Sequence, residues 1–224
     1  SWDDQAIKLY DTAGLRRRAR VHEAAEKLSV SDALRAIRFA EVVIVLLEAD
    51  RALEKQDLHI ASLAADEGRA MVIAINKWDV VRDKDAKRRE FRKEIDRLLP
   101  QIKGVPLSPI SALTGRGVNQ LMKQVANAYA LWNARLGTGK LNRWLSAAIE
   151  AHPPPAPGGR RLKMRYVTQP GARPPRFVVF CSRPDAVPAS YERYLINSLR
   201  ETFDLWGVPV RLFLRKGKNP YADE

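Results

Sequence analysis

Asn76-Lys77-Trp78-Asp79 follows directly on a short apolar run, Met71-Val72-Ile73-Ala74-Ile75, and that position gives its residue types a use. A carboxylate such as Asp79 can accept both N–H groups on one edge of guanine, an edge that adenine does not present. Asn76 can tie neighbouring loops together, and the stem of Lys77 can lie along the flat face of a base. Two further stretches suit the same chemistry. Ser111-Ala112-Leu113 follows the next strand signal, where a backbone N–H can meet the guanine oxygen. Asp11-Thr12-Ala13-Gly14 follows the alternating run Ala6-Ile7-Lys8-Leu9-Tyr10, and reads either as an ordinary turn or as a loop that senses a nucleotide's last phosphate. Each stretch alone has a plain alternative as a polar loop. Their order, each after a strand signal, argues for a nucleotide site, because ligands of open parallel sheets bind at the carboxyl ends of the strands.

The elements that must position these loops alternate along the first 135 residues. Val42 to Leu47 and Met71 to Ile75 are continuous apolar runs, the mark of strands buried on both faces. Between them a helix is expected from Gln56 to Glu67, stopped by Gly68. Asp85 to Leu99 reads as a charged amphipathic helix with Phe91, Ile95, Leu98 and Leu99 on its apolar face. Val105 to Ile110 reads as a strand whose two prolines place it at an edge or end. Val118, Leu121, Met122, Val125, Tyr129 and Trp132 recur at helical spacing and are expected in a core. This alternation predicts an α/β fold with a mostly parallel sheet covered by helices. After Gly137-Thr138-Gly139 the pattern changes to α-β-β-α-β: a helix Leu141 to Ala151, strands Leu162 to Thr168 and Arg176 to Cys181, a helix Ser190 to Phe203 and a strand Val208 to Leu214. That order predicts a second, small α+β domain, with boundaries at 1–136 and 137–224.

The charge is unevenly placed. The chain of 224 residues carries a net charge of +13. Residues 1–135 hold 24 Lys+Arg against 19 Asp+Glu, and residues 136–224 hold 15 against 7. Arg160 to Arg183 contains seven basic residues and no acid, which favours a polyanionic partner over a generally basic surface. Arg160, Arg161, Lys163, Arg165, Arg173 and Arg176 are the candidate RNA contacts. Tyr166 and Phe177 have the chemistry to stack on bases, though their strand positions favour core packing. Arg16, Arg17, Arg18 and Arg20 read as a solvated face or as an RNA- or domain-contacting extension of the first loop. No apolar run approaches the roughly 18–20 residues of a membrane span, and no signal peptide is visible. The single cysteine, Cys181, and three scattered histidines leave no disulfide framework or metal set, which suits a reducing, cytoplasmic setting.

With these loops in view, the chain resembles translational GTPases, and more closely the Der (EngA) family of bacterial tandem GTPases that act in ribosome assembly. The resemblance rests on "DTAGLRRRARV", "NKWD", "SAL", "LNRWLSAAIEAHPPP", "LKMRYVTQ", "FVVFCSRPD" and "RKGKNPY", and covers the whole chain. It implies a P-loop-type, Ras-like G domain, the second of the pair, followed by a KH-like domain. It also implies GTP or GDP as ligand, held by Asp11, Thr12, Ala13, Gly14, Leu15, Asn76, Lys77, Trp78, Asp79, Ser111, Ala112 and Leu113. Asp11 would then face Mg²⁺ through water, and Gly14 would sense the γ-phosphate. The implied partners are ribosomal RNA of the large subunit and the preceding G domain of the same protein.

Two departures bear on activity. The family's phosphate-binding G-x-x-x-x-G-K-[ST] loop and first switch would lie upstream of residue 1, so the chain is expected to be a fragment, inactive alone. Gly137-Thr138-Gly139-Lys140 is a decoy, with Ala134 where the first glycine belongs and Leu141 where a Mg²⁺-binding hydroxyl belongs. It reads as a linker with Thr138 as a helix cap. Where many GTPases place a water-orienting Gln after D-x-x-G, this chain has Leu15. The family carries an apolar residue there too and is thought to use K⁺ held by the upstream loop, so no catalytic residue is assigned. No G-x-x-G loop lies between the helices of the second domain, which departs from ordinary KH binding of RNA. Two other functions remain open at this level: an RNA-binding module with a nucleotide-incompetent G-like half, and a protein scaffold whose KH-like sheet docks the preceding G domain.

Overall fold

The computed structural model describes residues 2, 6–10, 35–51, 54–156 and 159–217. These form two compact units: one runs through Ala130 and takes in Trp206–Pro209, and the other comprises Leu131–Leu205 and the chain from Val210 on.

In the first unit, β1 (Val42–Glu48), β2 (Ala70–Asn76) and β3 (Leu107–Pro109) form a parallel sheet in the order β1-β2-β3. Helices α1 (Lys55–Asp66), α2 (Lys84–Leu98) and α3 (Val118–Trp132) connect or follow them. The central strand is apolar from Ala70 to Ile75 because both of its faces are covered: Met71 to Ile75 are each at most 1% exposed. Each large side chain so buried contributes about 1.5–3 kcal/mol. α2 starts where the Asp83 carboxylate accepts from the Ala86 N–H, and it buries Phe91 and Ile95. Gly68, at φ +74°, ends α1 in a conformation that side chains resist. The two prolines of 105–110 leave β3 only three residues long, at an edge of the described sheet.

The second unit holds α4 (Thr138–Ala151), β4 (Met164–Gly171), β5 (Arg176–Cys181), α5 (Ala189–Phe203) and β6 (Arg211–Lys216). β4 and β5 are antiparallel, while β5 and β6 are parallel, in the order β4-β5-β6. One face is core: Val167, Phe177, Val179 and Cys181 are fully buried, as are Leu141 of α4 and Leu195 and Leu199 of α5. Polar ties hold the helices together. The Trp144 indole donates to Ser198 Oγ at 3.0 Å, and the Tyr191 and Tyr194 hydroxyls donate to the carbonyls of His152 and Ala148, each at 2.8 Å. Asn142 closes the free edge of β4 by exchanging two hydrogen bonds with the Val167 backbone, at 3.0 and 3.1 Å.

Four expectations are corrected. Residues 6–10 form no strand, and Leu9 is 82% exposed. Alternation supplies a face, but a strand also needs a ladder, and the described sheet ends at β1. Gly137-Thr138-Gly139-Lys140 is not a linker: Gly137 is the N-cap and Thr138 opens α4, with Leu141 N–H donating to Gly137 O at 3.1 Å. β6 begins at Arg211 and not at Val208, because Trp206–Pro209 belong to the first unit, where Gly207 O accepts from Met71 N–H at 2.9 Å. On α3, Val118 is more than one-third exposed, whereas Leu121 and Trp132 are core as expected.

Candidate nucleotide-binding site

The parallel register sets Glu48 beside Asn76, so the carboxyl ends of β1 and β2 finish level. At that rim the chain leaves β2 through Lys77, whose φ of +60° turns the backbone sharply. Trp78 N–H then donates to Ile110 O at 3.0 Å, which joins the loop after β2 to the loop after β3. Asn76 makes the second tie: its Oδ1 accepts from Ala112 N–H at 2.9 Å. A guanine oxygen approaching Ala112 would therefore share that donor with Asn76.

The 111–117 loop is built on Ser111, which is 2% exposed. Its N–H donates to Arg116 O at 2.9 Å, its carbonyl accepts from Gly115 N–H at 2.9 Å, and its hydroxyl oxygen accepts from Thr114 N–H at 3.3 Å. The turn closes at Gly117, with φ +83°, where a Cβ would stand 2.3 Å from Pro109 O. No other residue fits there. Leu113 is 89% exposed at the tip.

Asp79 projects from the β2 loop toward this one. The Ser111 hydroxyl donates to its carboxylate, and with the Asp79 backbone N–H and nearby Lys84 it holds the carboxyl below the usual carboxylate range. Asp79 is thus a fixed, exposed anion at neutral pH, able to accept two N–H donors from a ligand. Lys77 is anchored: its ammonium lies 3.1 Å from Glu48 Oε2 and 3.4 Å from Asp50 Oδ2, and the Glu48 bond first among several causes raises its pKa. With its head pinned to the β1 loop, the aliphatic stem is the part left to lie against a base. Glu48, Asp50 and the Ser111–Asp79 bond were not singled out in the sequence. The register of two parallel strands, not any local motif, brings them in.

Asn76, Lys77, Trp78, Asp79, Ser111 and Ala112 therefore gather at one rim, with Leu113 at its margin. Asp11, Thr12, Ala13, Gly14 and Leu15 lie outside the described residues, as do Arg16, Arg17, Arg18 and Arg20. Among the described residues no His, Cys, Asp and Glu group could hold a metal ion, and no helix is long and apolar enough to cross a membrane.

The basic candidates of the second unit are spread out. Arg160, Arg161 and Lys163 precede β4 and are exposed, Arg165 lies in β4, and Arg176 opens β5. Arg173 is engaged in packing: its guanidinium bonds Asn133 Oδ1 and lies 5.8 Å from the Trp132 ring centroid. Phe177 is fully buried and can stack on nothing, whereas Tyr166 is 42% exposed.

Known protein families resemble both units of the chain. Residues 30–130 match the elongation factor Tu GTP binding domain model, and residues 135–215 match the KH-domain-like C-terminal model of EngA bacterial GTPase enzymes. The chain is 56% identical over 222 residues to GTPase Der of Parvibaculum lavamentivorans, covering 99% of this chain and 47% of that protein. It is 57% identical over 221 residues to GTPase Der of Mesorhizobium japonicum, covering 99% of this chain and 46% of that one. The chain belongs to the Der family. It spans about half the length of the curated Der relatives it matches. A solved structure of Aquifex aeolicus Era bound to GDP·AlF4⁻ is more loosely similar, with a TM-score of 0.42 and 16% identity over 94% of this chain and 73% of that one. Within Der, the first unit is the G domain and the second the KH-like domain. The G-domain match begins beyond Asp11–Leu15 and takes in the loops after β2 and β3.

Proposed function

We propose that this chain is the guanine-recognising and RNA-facing part of a GTP-controlled switch that acts in assembly of the large ribosomal subunit. The observation that carries the reading is the joined rim. Ser111 helps hold Asp79 as an anion, and Asn76 clasps Ala112 at 2.9 Å, so a carboxylate and a backbone loop are set side by side by bonds within the protein. A pre-set anion facing paired N–H donors selects guanine over adenine, and preorganisation spares the ligand the cost of ordering two loops. Membership of the Der family supports GTP hydrolysis by the whole protein, with ribosomal RNA and the preceding G domain as partners. Asp11, which would face the water shell of Mg²⁺, lies outside the described residues. The geometry therefore supports the guanine end of the site.

In this reading the exposed Arg160, Arg161 and Lys163, with Arg165 and Arg176, meet RNA phosphates, while Arg173 serves the fold. The test uses the full-length protein. Calorimetry should show GTP and GDP binding with ATP excluded, and GTP should change its co-sedimentation with large ribosomal subunits. Equal affinity for ATP and GTP would overturn the assignment of the rim, and nucleotide-independent subunit binding would overturn the switch.

A further inference from the structure

The mixed sheet of the second unit has its fully buried side chains on one face. Its other face is fixed by register. Tyr166, Phe180 and Arg215 form one row across the three strands, Thr168, Val178 and Phe213 the next, and Gly171, Arg176 and Arg211 the third. Residues paired across strands share a face, so these side chains stand opposite buried Val167, Phe177, Val179 and Leu212; on the face itself Val178, at the middle, is 7% exposed, and the exposed rings and arginines stand around it. Tyr166 and Phe213 are 42% and 45% exposed, although both are large and apolar. The Tyr166 and Phe180 rings already stack, with centroids 4.3 Å apart and planes 14° from parallel. The Arg176 guanidinium lies over Gly171, where a Cβ would meet its Nε at 2.7 Å. The three strands contain five basic residues, Arg165, Arg176, Arg211, Arg215 and Lys216, and no Asp or Glu.

We infer that this open sheet face is a stacking platform for single-stranded RNA, in which Tyr166, Phe180 and Phe213 take bases and Arg176 and Arg215 take the adjoining phosphates. The inference rests on the RNA-facing role proposed above and deepens it by naming the surface and the form of RNA. Aromatic rings on a sheet, flanked by arginine and free of acid, suit unpaired bases, whose flat faces are exposed and whose backbone carries a charge per nucleotide. A duplex hides those faces. A protein partner would use the rings as readily, but the acid-free strands favour a polyanion. The platform also accounts for RNA binding by a KH-like unit without a G-x-x-G loop: the rings replace the missing clamp.

The experiment measures binding of the full-length protein to a single-stranded oligouridine and to an RNA duplex of equal length, across a salt series. Replacing Tyr166 and Phe213 by Leu (Y166L, F213L) should weaken single-strand binding by roughly 5- to 150-fold per ring, the range for stacking. Duplex binding and the salt slope should stay unchanged. Y166F, which keeps the ring, should restore the affinity, separating stacking from any damage to the fold. Replacing Arg176 and Arg215 by Ala should reduce the salt slope by about 1.4. Unchanged oligouridine affinity in the folded Leu variants would overturn the platform, as would failure of hydroxyl radicals to label the Tyr166 and Phe213 rings in RNA-free full-length protein, since that would show a protein surface seated there. GTP affinity is measured on the same samples. Its loss in the parent protein would sink the nucleotide reading and leave the platform result standing.

Discussion

β2 and β5 are both central strands of three-stranded sheets, yet they expose opposite things. β2 is buried along both faces, so its side chains cannot meet a ligand, and chemistry is pushed to its carboxyl end at Asn76 to Asp79. β5 buries Phe177, Val179 and Cys181 on one face, and on the other it exposes Arg176 and part of Phe180 on either side of buried Val178. Helices on both sides of a parallel sheet confine function to loops at the rim. An open mixed sheet keeps a whole face for contact. The roles proposed for the two units differ in the same way: a small nucleotide at a rim, and an extended polymer on a face.

The contrast is broken most sharply at Asp79. A charged hydrogen-bond acceptor contributes about 1.5–3 kcal/mol, so Asp79→Asn in the full-length protein should weaken GTP by roughly 10- to 150-fold. Xanthosine triphosphate, whose altered edge suits an amide, should gain. Competition calorimetry with the two nucleotides checks this. Equal GTP affinity in mutant and parent would mean that the rim does not read the base.

The face is probed next, through its flank. Replacing Arg160, Arg161 and Lys163 by Ala removes three exposed charges ahead of β4. The log–log slope of single-stranded ribosomal RNA binding against salt should change by about 2. If this triple change alters the slope and Y166L leaves affinity intact, RNA follows the flank and not the face, and the contrast between rim and face fails for the second unit.

A smaller effect tests how far the rim depends on backbone alone. Gly117→Ala places a methyl group against Pro109 O and forces a side chain into the left-handed region. The conformational part alone costs roughly 1–2 kcal/mol. Thermal unfolding should fall accordingly, and GTP binding should weaken although no ligand-facing side chain has changed. A variant with wild-type melting and affinity would show that the 111–117 loop relaxes freely.

Local chemistry made much of this visible in the sequence. The apolar run Met71–Ile75 announced a doubly buried strand, and Asn76 to Asp79 followed it closely enough to place the rim. Ser111 was legible as a loop residue but not as the group that orients Asp79, because that bond depends on where β3 ends relative to β2. Tyr166 and Phe177 looked alike as aromatic strand residues. Their opposite fates, exposed and buried, follow from pleat phase, which one strand's sequence cannot assign without its partners' register. Val208 and Val210 looked like the start of a strand. The Gly207–Pro209 segment instead serves the first unit, and proline at 209 has no N–H to offer a ladder.

The least effect belongs to the covered side of the second sheet, where the same contrast requires that aromatic residues serve structure only. Tyr191 is 8% exposed and donates its hydroxyl proton to His152 O at 2.8 Å. Burial, helped by neighbouring Tyr194, pushes its pKa from 10.0 up to about 12. An acid that is harder to ionise in the folded state binds its proton more tightly there than in the unfolded chain, so folding is favoured below the ordinary value and disfavoured above it. The second unit should hold its stability up to pH 10 and lose part of it as the pH rises toward about 12. Tyr191→Phe gives up the bond to His152, a net loss of about 0.5–1.5 kcal/mol at neutral pH. It also removes the ionisation, so the mutant's denaturation midpoint should fall less steeply than the parent's over that alkaline range. RNA and GTP affinities at neutral pH should match the parent protein. A loss of RNA binding in Tyr191→Phe with an intact melting profile would place function on the covered side and end the distinction between the two faces of this sheet.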